Sequence, residues 1–215
     1  MKVIAINGSP RKSGNTATLL AEALKGAKSA GAQAEMIHLY DLDFKGCKSC
    51  FACKLKGGPS YGKCAVQDGL QPVLRTIEEA DALLVGSPVY LGNVTGETRS
   101  FLERLVYQYL AYMPGMPSLC EKSMPVGLIY TLGANDQRIR EQGYDQSVAM
   151  IDGFTQAYLG PVESLLVTDT LLFDDFEKFE GSMFDPEAKQ KRRREVFPND
   201  CKKAYAMGKR LAGSR

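Results

Sequence analysis

Apolar residues along the chain fall into short continuous runs separated by longer stretches in which they recur every three or four positions. The runs lie at 2–7 (K-V-I-A-I-N), 34–39 (A-E-M-I-H-L), 82–87 (A-L-L-V-G-S), 125–131 (P-V-G-L-I-Y-T) and 162–168 (V-E-S-L-L-V-T), each of strand length. Helical spacing covers 15–29, 69–79, 97–110, 137–158 and 186–211. In the first of these, Leu19, Leu20, Ala23, Leu24 and Ala27 share one side. Near-continuous apolar strands suit burial on both faces, so the alternation predicts an α/β fold. We expect a doubly wound, five-stranded parallel sheet of order 2-1-3-4-5 with helices on both faces. Ligands of such sheets bind beyond the carboxyl ends of the strands. The chain reads as a single domain over 1–215 with two irregular stretches. One is a cysteine-rich insertion at about 40–67; the other, 170–186, sets Phe173, Phe176, Phe179 and Phe184 among acidic residues. Long loops in compact domains are usually functional, and the second reads as a lid, an oligomer contact or a cover for the sheet edge.

The first rim loop carries the strongest local signal. In K-V-I-A-I-N-G-S-P-R-K-S-G-N-T, residues 2–16, Gly8, Ser9 and Pro10 end the strand, and Ser13 to Thr16 open the helix. Amides at a helix start carry partial positive charge and attract an anion. The hydroxyls of Ser9, Ser13 and Thr16 and the charge of Arg11 would add to it. No G-x-G-x-x-G follows the strand and no G-K-[ST] closes the loop, which excludes a dinucleotide fingerprint and a Walker loop. A monophosphate held mostly by hydroxyls fits better; the plain alternative is a turn whose hydroxyls only cap the helix.

Two further rim loops are small and glycine-containing: Gly86 to Thr95 after the third strand and Thr131 to Asn135 after the fourth. Pro88 fixes one dihedral and Gly92 permits close backbone approach, so amides of Tyr90 to Asn93 could meet a flat polar ring. Three such loops at one sheet edge would make a pocket.

G-S-P-R-x-S-G-N-T together with G-S-P-V-Y-x-G resembles the flavodoxin-like NADPH-dependent FMN reductase family over roughly the first 135 residues. The resemblance implies that Ser9, Arg11, Ser13, Gly14, Asn15 and Thr16 bind the FMN phosphate. It places Pro88, Val89, Tyr90, Leu91, Gly92, Asn93, Thr131, Leu132 and Gly133 at the isoalloxazine. It also implies hydride uptake from NAD(P)H, delivery of electrons to a quinone, a flavin or an iron–sulfur or protein acceptor, and a homodimer or homotetramer with flavin sites near the subunit interface. A non-enzymatic flavodoxin-type electron carrier is the alternative, though such carriers are strongly acidic.

Here 27 Lys and Arg oppose 25 Asp and Glu, a balance of +2 that calls for no nucleic-acid partner. No apolar run reaches membrane-spanning length and Met1 leads directly into a strand, so we expect a cytoplasmic protein with no membrane partner. Reduced cysteines then point to metal, catalysis or packing rather than disulfides. Cys47, Cys50, Cys53 and Cys64 give C-x2-C-x2-C-x10-C, a spacing that could wrap a [4Fe–4S] cluster. Zinc and free thiols remain alternatives. The position between the second strand and second helix resembles the iron–sulfur flavoproteins of the same group, with a longer last gap that includes K-G-G-P-S-Y. Cys120 and Cys201 read as packing residues. The only histidine, His38, reads as packed, and no cysteine stands in C-x5-R, which removes a phosphatase of similar fold. Glu103 and Arg104 echo the FMN reductase family's pattern, but a surface helical pair explains them as well. Lys189, Lys191, Arg192, Arg193 and Arg194 read as a solvated face, with an anion or acidic-partner contact as the alternative. No side-chain general base is expected, because flavin chemistry belongs to the cofactor.

Overall fold

The computed structural model describes residues 1–213. Five parallel strands lie in the order predicted: β1 (Lys2–Asn7), β2 (Gln33–His38), β3 (Ala82–Tyr90), β5 (Val126–Thr131) and β6 (Val162–Val167) run β2-β1-β3-β5-β6 across the sheet. A sixth, two-residue strand was not expected: β4 (Asn93–Val94) folds back antiparallel on the end of β3, pairing Tyr90 with Asn93. The fold is therefore flavodoxin-like α/β, with one short hairpin added at the rim.

Alternation along the strands divides the core into two layers. Val3 and Ala5 of β1 face α1 (Asn15–Ser29) and α7 (Phe197–Gly213), where Leu19, Leu20, Ala23, Ala204, Met207 and Leu211 are buried. Ile4 and Ile6 face the opposite layer, built by α2 (Gln71–Glu79), α3 (Gly96–Tyr107) and α5 (Tyr144–Tyr158). There Leu74, Ile77, Phe101, Leu105, Val148 and Ile151 close over the sheet. Helices α1 and α7 touch backbone to backbone at glycines. A Cβ on Gly26 would stand 1.9 Å from the Tyr205 carbonyl oxygen, and one on Gly208 would stand 1.8 Å from that of Ala23. Any side chain there would force the two helices apart.

Two long predicted helices are each broken. The 137–158 stretch divides into α4 (Asp136–Glu141) and α5 because Gly143 takes a left-handed conformation, φ 67°. The 186–211 stretch divides at Val196 into α6 (Pro186–Glu195) and α7. Pro198 falls in the first turn of α7, where a missing N–H costs nothing, and Asp185 caps α6 by accepting from the amides of Glu187 and Ala188 at 3.0 Å each. Among the described residues no helix is long and apolar enough to cross a membrane.

Candidate functional site

The first and third loops are locked at the same rim. The Gly8 amide donates to the Gly86 carbonyl (2.8 Å), and the Thr95 hydroxyl donates to the Gly8 carbonyl (2.7 Å). Within the first loop, the Ser9 amide donates to Asn7 Oδ1 (3.0 Å) and the Arg11 amide to Ser9 Oγ (3.1 Å), which folds the chain back toward the start of α1. Gly14 is the N-cap of α1, no side chain caps it, and its first turn holds no acid. The amides of Asn15, Thr16 and Ala17 meet no acceptor among the described residues. Three donors at the positive end of a helix are thus available to an anion. Thr16 is buried, and its hydroxyl pairs with that of Thr131 at 2.7 Å, joining the first loop to the fourth strand's end.

A cavity of about 980 Å³ opens at this rim, the size of a site for a nucleotide-like ligand. Its walls include Ser9, Arg11, Ser13, Gly14, Asn15, Thr16, Pro88, Val89, Tyr90, Leu91, Gly92, Thr131, Leu132 and Gly133. Of the residues singled out in the sequence, Asn93 is not in the wall; its Oδ1 instead accepts from the Val94 amide (2.9 Å) within the hairpin. The hairpin turn places Leu91 at φ 51° and Gly92 at φ 82°. Two successive positive φ values suit the twist of a tight hairpin but strain a branched residue such as Leu91, which is fully exposed at the cavity mouth. A Cβ on Gly92 would also stand 2.9 Å from the Tyr144 ring.

Sequence reasoning missed nearly half of the wall, contributed by Arg138, Tyr144 and the chain after β6. Leu171 and Leu172 accept hydrogen bonds from Asn15 Nδ2 (2.9 Å) and Arg11 Nη1 (2.8 Å) through their carbonyls. The aromatic stretch is therefore a cavity wall: Phe173, Asp174, Met183 and Phe184 line it, and Phe173 stacks on Phe179 at 4.8 Å. The basic run is not simply a solvated face. Lys189 is buried, donating to the Gly133 carbonyl (2.5 Å) and to Asp169. Arg193 lies over the Phe197 ring and donates to Asn15 Oδ1 (2.9 Å). Three arginines, Arg11, Arg138 and Arg193, thus line the cavity against one acid, Asp174. The available signal was topological, since residues 168–174 follow a parallel strand and reach the same rim.

The cysteine segment lies between β2 and α2, against α3. Cys47, Cys50, Cys53 and Cys64 all line one small enclosed cavity of about 20 Å³, together with Arg104 and Gln108, and none of these lines the rim cavity. Arg104 is fully buried, a correction to its reading as a surface residue; Glu103 beside it is exposed and faces Arg99 (3.5 Å). The Arg104 guanidinium donates to Asp68 (2.5 Å) and to the carbonyls of Lys45 and Val66 (3.2 Å each), tying both ends of the loop to the helix. Lys54 Nζ donates to the carbonyls of Tyr107 (2.5 Å), Gln108 (3.1 Å) and Leu110 (2.5 Å), closing the C-terminus of α3. Burial pushes the Cys53 thiol above its usual pKa; Lys54 opposes this, and Cys64, Cys47 and Cys50 reinforce it. Burial likewise lowers the Lys54 pKa, against the pull of Cys53. Among the described residues no three His, Cys, Asp or Glu side chains are grouped to hold a single metal ion. Cys120 and Cys201 pack against the two core layers as expected, and His38 Nδ1 pairs with Asn7 Nδ2 (2.9 Å) away from the cavity wall.

Comparison with known proteins places this geometry. An iron–sulfur flavoprotein of Archaeoglobus fulgidus is 45% identical over 104 residues, 48% of each chain. One of Methanocaldococcus jannaschii is 39% identical over 104 residues, 48% of this chain and 51% of its own. The chain spans about half the length of the curated relatives it matches. Among solved structures, an NAD(P)H:quinone oxidoreductase from Methanothermobacter marburgensis superposes over 98% of both chains with a TM-score of 0.74 at 14% identity. An FMN-dependent NADH-azoreductase from Bacillus anthracis, in complex with FMN, gives 0.66 at 16% identity over 99% of this chain and 100% of its own. These two likenesses are of fold. The pattern of the NADPH-dependent FMN reductases matches residues 1–141, the three loops included, and the chain belongs to that family.

Proposed function

We propose that the chain is an FMN-dependent oxidoreductase that takes a hydride from NAD(P)H and passes electrons to a quinone, a flavin or a protein acceptor. The observation that carries this reading is the group of unpartnered amides of Asn15, Thr16 and Ala17, set at a cavity with three arginines in its wall. A phosphate monoester dianion satisfies those donors as no neutral group would. The loop from Pro88 to Gly92 and the loop from Thr131 to Gly133 offer backbone and small side chains along the other wall, suited to a flat polar ring. Bound there, FMN supplies the hydride- and electron-accepting chemistry. The chain's own part is to anchor the phosphate, orient the ring and leave one mouth through which donor and acceptor come in turn. Stopped-flow mixing of the oxidised flavoprotein with NADPH or NADH, with no acceptor present, tests this. Bleaching of the flavin absorbance within the turnover time is expected; no bleaching by either nucleotide would favour an electron carrier.

The donor set of the second cavity fits a [4Fe–4S] cluster held by Cys47, Cys50, Cys53 and Cys64. Four thiols and two basic side chains share one locus, and each thiolate of such a cluster binds a different iron rather than one shared ion. The enclosed volume is about that of one water, so the exposed turn around Cys50 has to lift for a cluster to enter. The reading extends to one domain over 1–215 with this segment as its insertion, working in the cytoplasm as a homodimer or homotetramer. Tyr90, Leu91, Tyr112, Met113 and Met116 are large exposed apolar side chains that an oligomer contact would cover.

A further inference from the structure

Two of the three buried side-chain polar atoms that lack a partner among the described residues are Arg104 Nε and Gln108 Nε2. Arg104 lies in the last turn of α3 and Gln108, four residues on, caps that helix in a helical conformation. They therefore share a face, and both residues line the cavity of the four cysteines. Each residue is 1% exposed. Buried donors without acceptors are rare in folded proteins because they lose water and gain nothing. Two beside the same cavity ask for a common acceptor.

The other bonds of each side chain fix which group is left over. Gln108 Oε1 accepts from the Cys64 amide at 2.8 Å. The Cys64 N–H can only donate, so that end is the oxygen. The NH2 end turns away from the Cys64 backbone, where its neighbouring acceptor is the Tyr109 hydroxyl, without a formed bond. Arg104 commits Nη1 to Asp68 and Lys45 and Nη2 to Val66, leaving Nε. A guanidinium keeps its charge throughout the working pH range, and Asp68 pairs with it. Arg104 stands on α3 and Gln108 at its C-terminal cap, neither on the cysteine loop. They therefore keep their places when the turn around Cys50 lifts.

We infer that Arg104 Nε–H and Gln108 Nε2–H donate to the sulfurs of the cluster or of its cysteine ligands and raise its reduction potential. The inference rests on the cluster reading above. One-electron reduction adds negative charge to the sulfurs, and N–H donors fixed nearby stabilise the reduced state more than the oxidised one. No bond to the protein forms or breaks. Arg104 and Gln108 are tuning residues, not ligands.

The test is an EPR-monitored redox titration of the 215-residue chain, anaerobically reconstituted with iron and sulfide, for the parent, Arg104→Lys and Gln108→Met. Lysine keeps a cation for Asp68 and loses Nε; methionine keeps length and loses the amide. Each variant should retain iron, sulfide and FMN while its cluster becomes about tenfold harder to reduce, a downward shift of about 59 mV for a one-electron couple. The FMN potential, read in the same titration, should not move. Full clusters with unmoved potentials in both variants would overturn the inference, and so would loss of iron from both, which would make these residues scaffolding for the loop. Should Arg104→Lys alone lose iron, the potential of Gln108→Met decides. Parent protein that takes up FMN but no iron and sulfide would instead bring down the cluster reading, and this inference with it.

Discussion

Replacing Arg104 with Met removes a side chain that bonds to residues at both ends of the cysteine segment. The Arg104 side chain has no exposed surface and that of Asp68 is 20% exposed. Removing one partner of a buried pair costs about 3–5 kcal/mol, because the other charge stays behind without compensation. Partial hydration of Asp68 argues for the lower part of that range, while the carbonyls of Lys45 and Val66 lose donors worth about 1 kcal/mol each. Met fills most of the vacated volume and offsets a little of this. We expect a loss of about 3–4 kcal/mol, which with a urea m-value of about 2–3 kcal/mol/M lowers the unfolding midpoint by about 1–2 M. A pH series sharpens the test. Burial alone would raise the Asp68 pKa, but the Arg104 hydrogen bond and charge, with the Leu70 and Gln71 amides, hold it below the usual carboxylate value. A depressed carboxyl contributes its stability fully above its unfolded pKa of about 4 and loses it as pH falls through the folded value. The gap between parent and variant should therefore be widest at neutral pH and narrow below about pH 4. A midpoint within about 0.3 M of the parent at pH 7, or a gap that widens on acidification, would refute the reasoning.

Thr16→Ala removes a hydroxyl that joins two rim loops and stands beside the unpartnered amides. FMN affinity should fall by about 1–2 kcal/mol, read by flavin fluorescence quenching; unchanged affinity would mean that this hydroxyl serves only its bond to Thr131. Cys47→Ser, Cys50→Ser, Cys53→Ser and Cys64→Ser should each lose iron while keeping FMN, because the two cavities share no wall residue. Iron and acid-labile sulfide assays on anaerobically purified protein read this directly. Full iron in Cys64→Ser alone would point to a different fourth ligand.

What was legible in the sequence follows from where each signal comes from. The central strands β1, β3 and β5 are buried on both faces and appear as near-unbroken apolar runs. The edge strands β2 and β6 are apolar on one face and interrupted by Glu35 and by Glu163 and Ser164. The strand order follows from the doubly wound alternation. Strand β4 is two residues long and carries no periodic signal. Neither helix break carries a strong local signal, which is why each pair of helices reads as one. Gly143 is an isolated glycine inside a helical stretch, and at Val196 the charged α6 runs directly into α7 with no loop between them. The first three rim loops announced themselves through glycine, proline and hydroxyl residues. The fourth wall showed only as an irregular aromatic stretch, because Leu171 and Leu172 look like ordinary apolar chain and act through backbone carbonyls, while Phe173 acts through its ring. Charged residues gave the poorest signal. Arg104, Lys189 and Arg193 sit in segments that read as solvated helix faces, and only tertiary contacts with Asp68, Asp169 and Asn15 draw them inward.

The account rests most heavily on the phosphate site at the start of α1. Titrating the apoprotein with FMN and with riboflavin, side by side in one calorimetric experiment, tests it. The two ligands share the ring and differ by the phosphate, which should gain at least two charge-assisted hydrogen bonds from the amides of Asn15 to Ala17. At about 1.5 kcal/mol or more each, FMN should bind about a hundredfold tighter or better. Riboflavin binding within about threefold of FMN would contradict the assignment of the rim loop, and with it the proposed function.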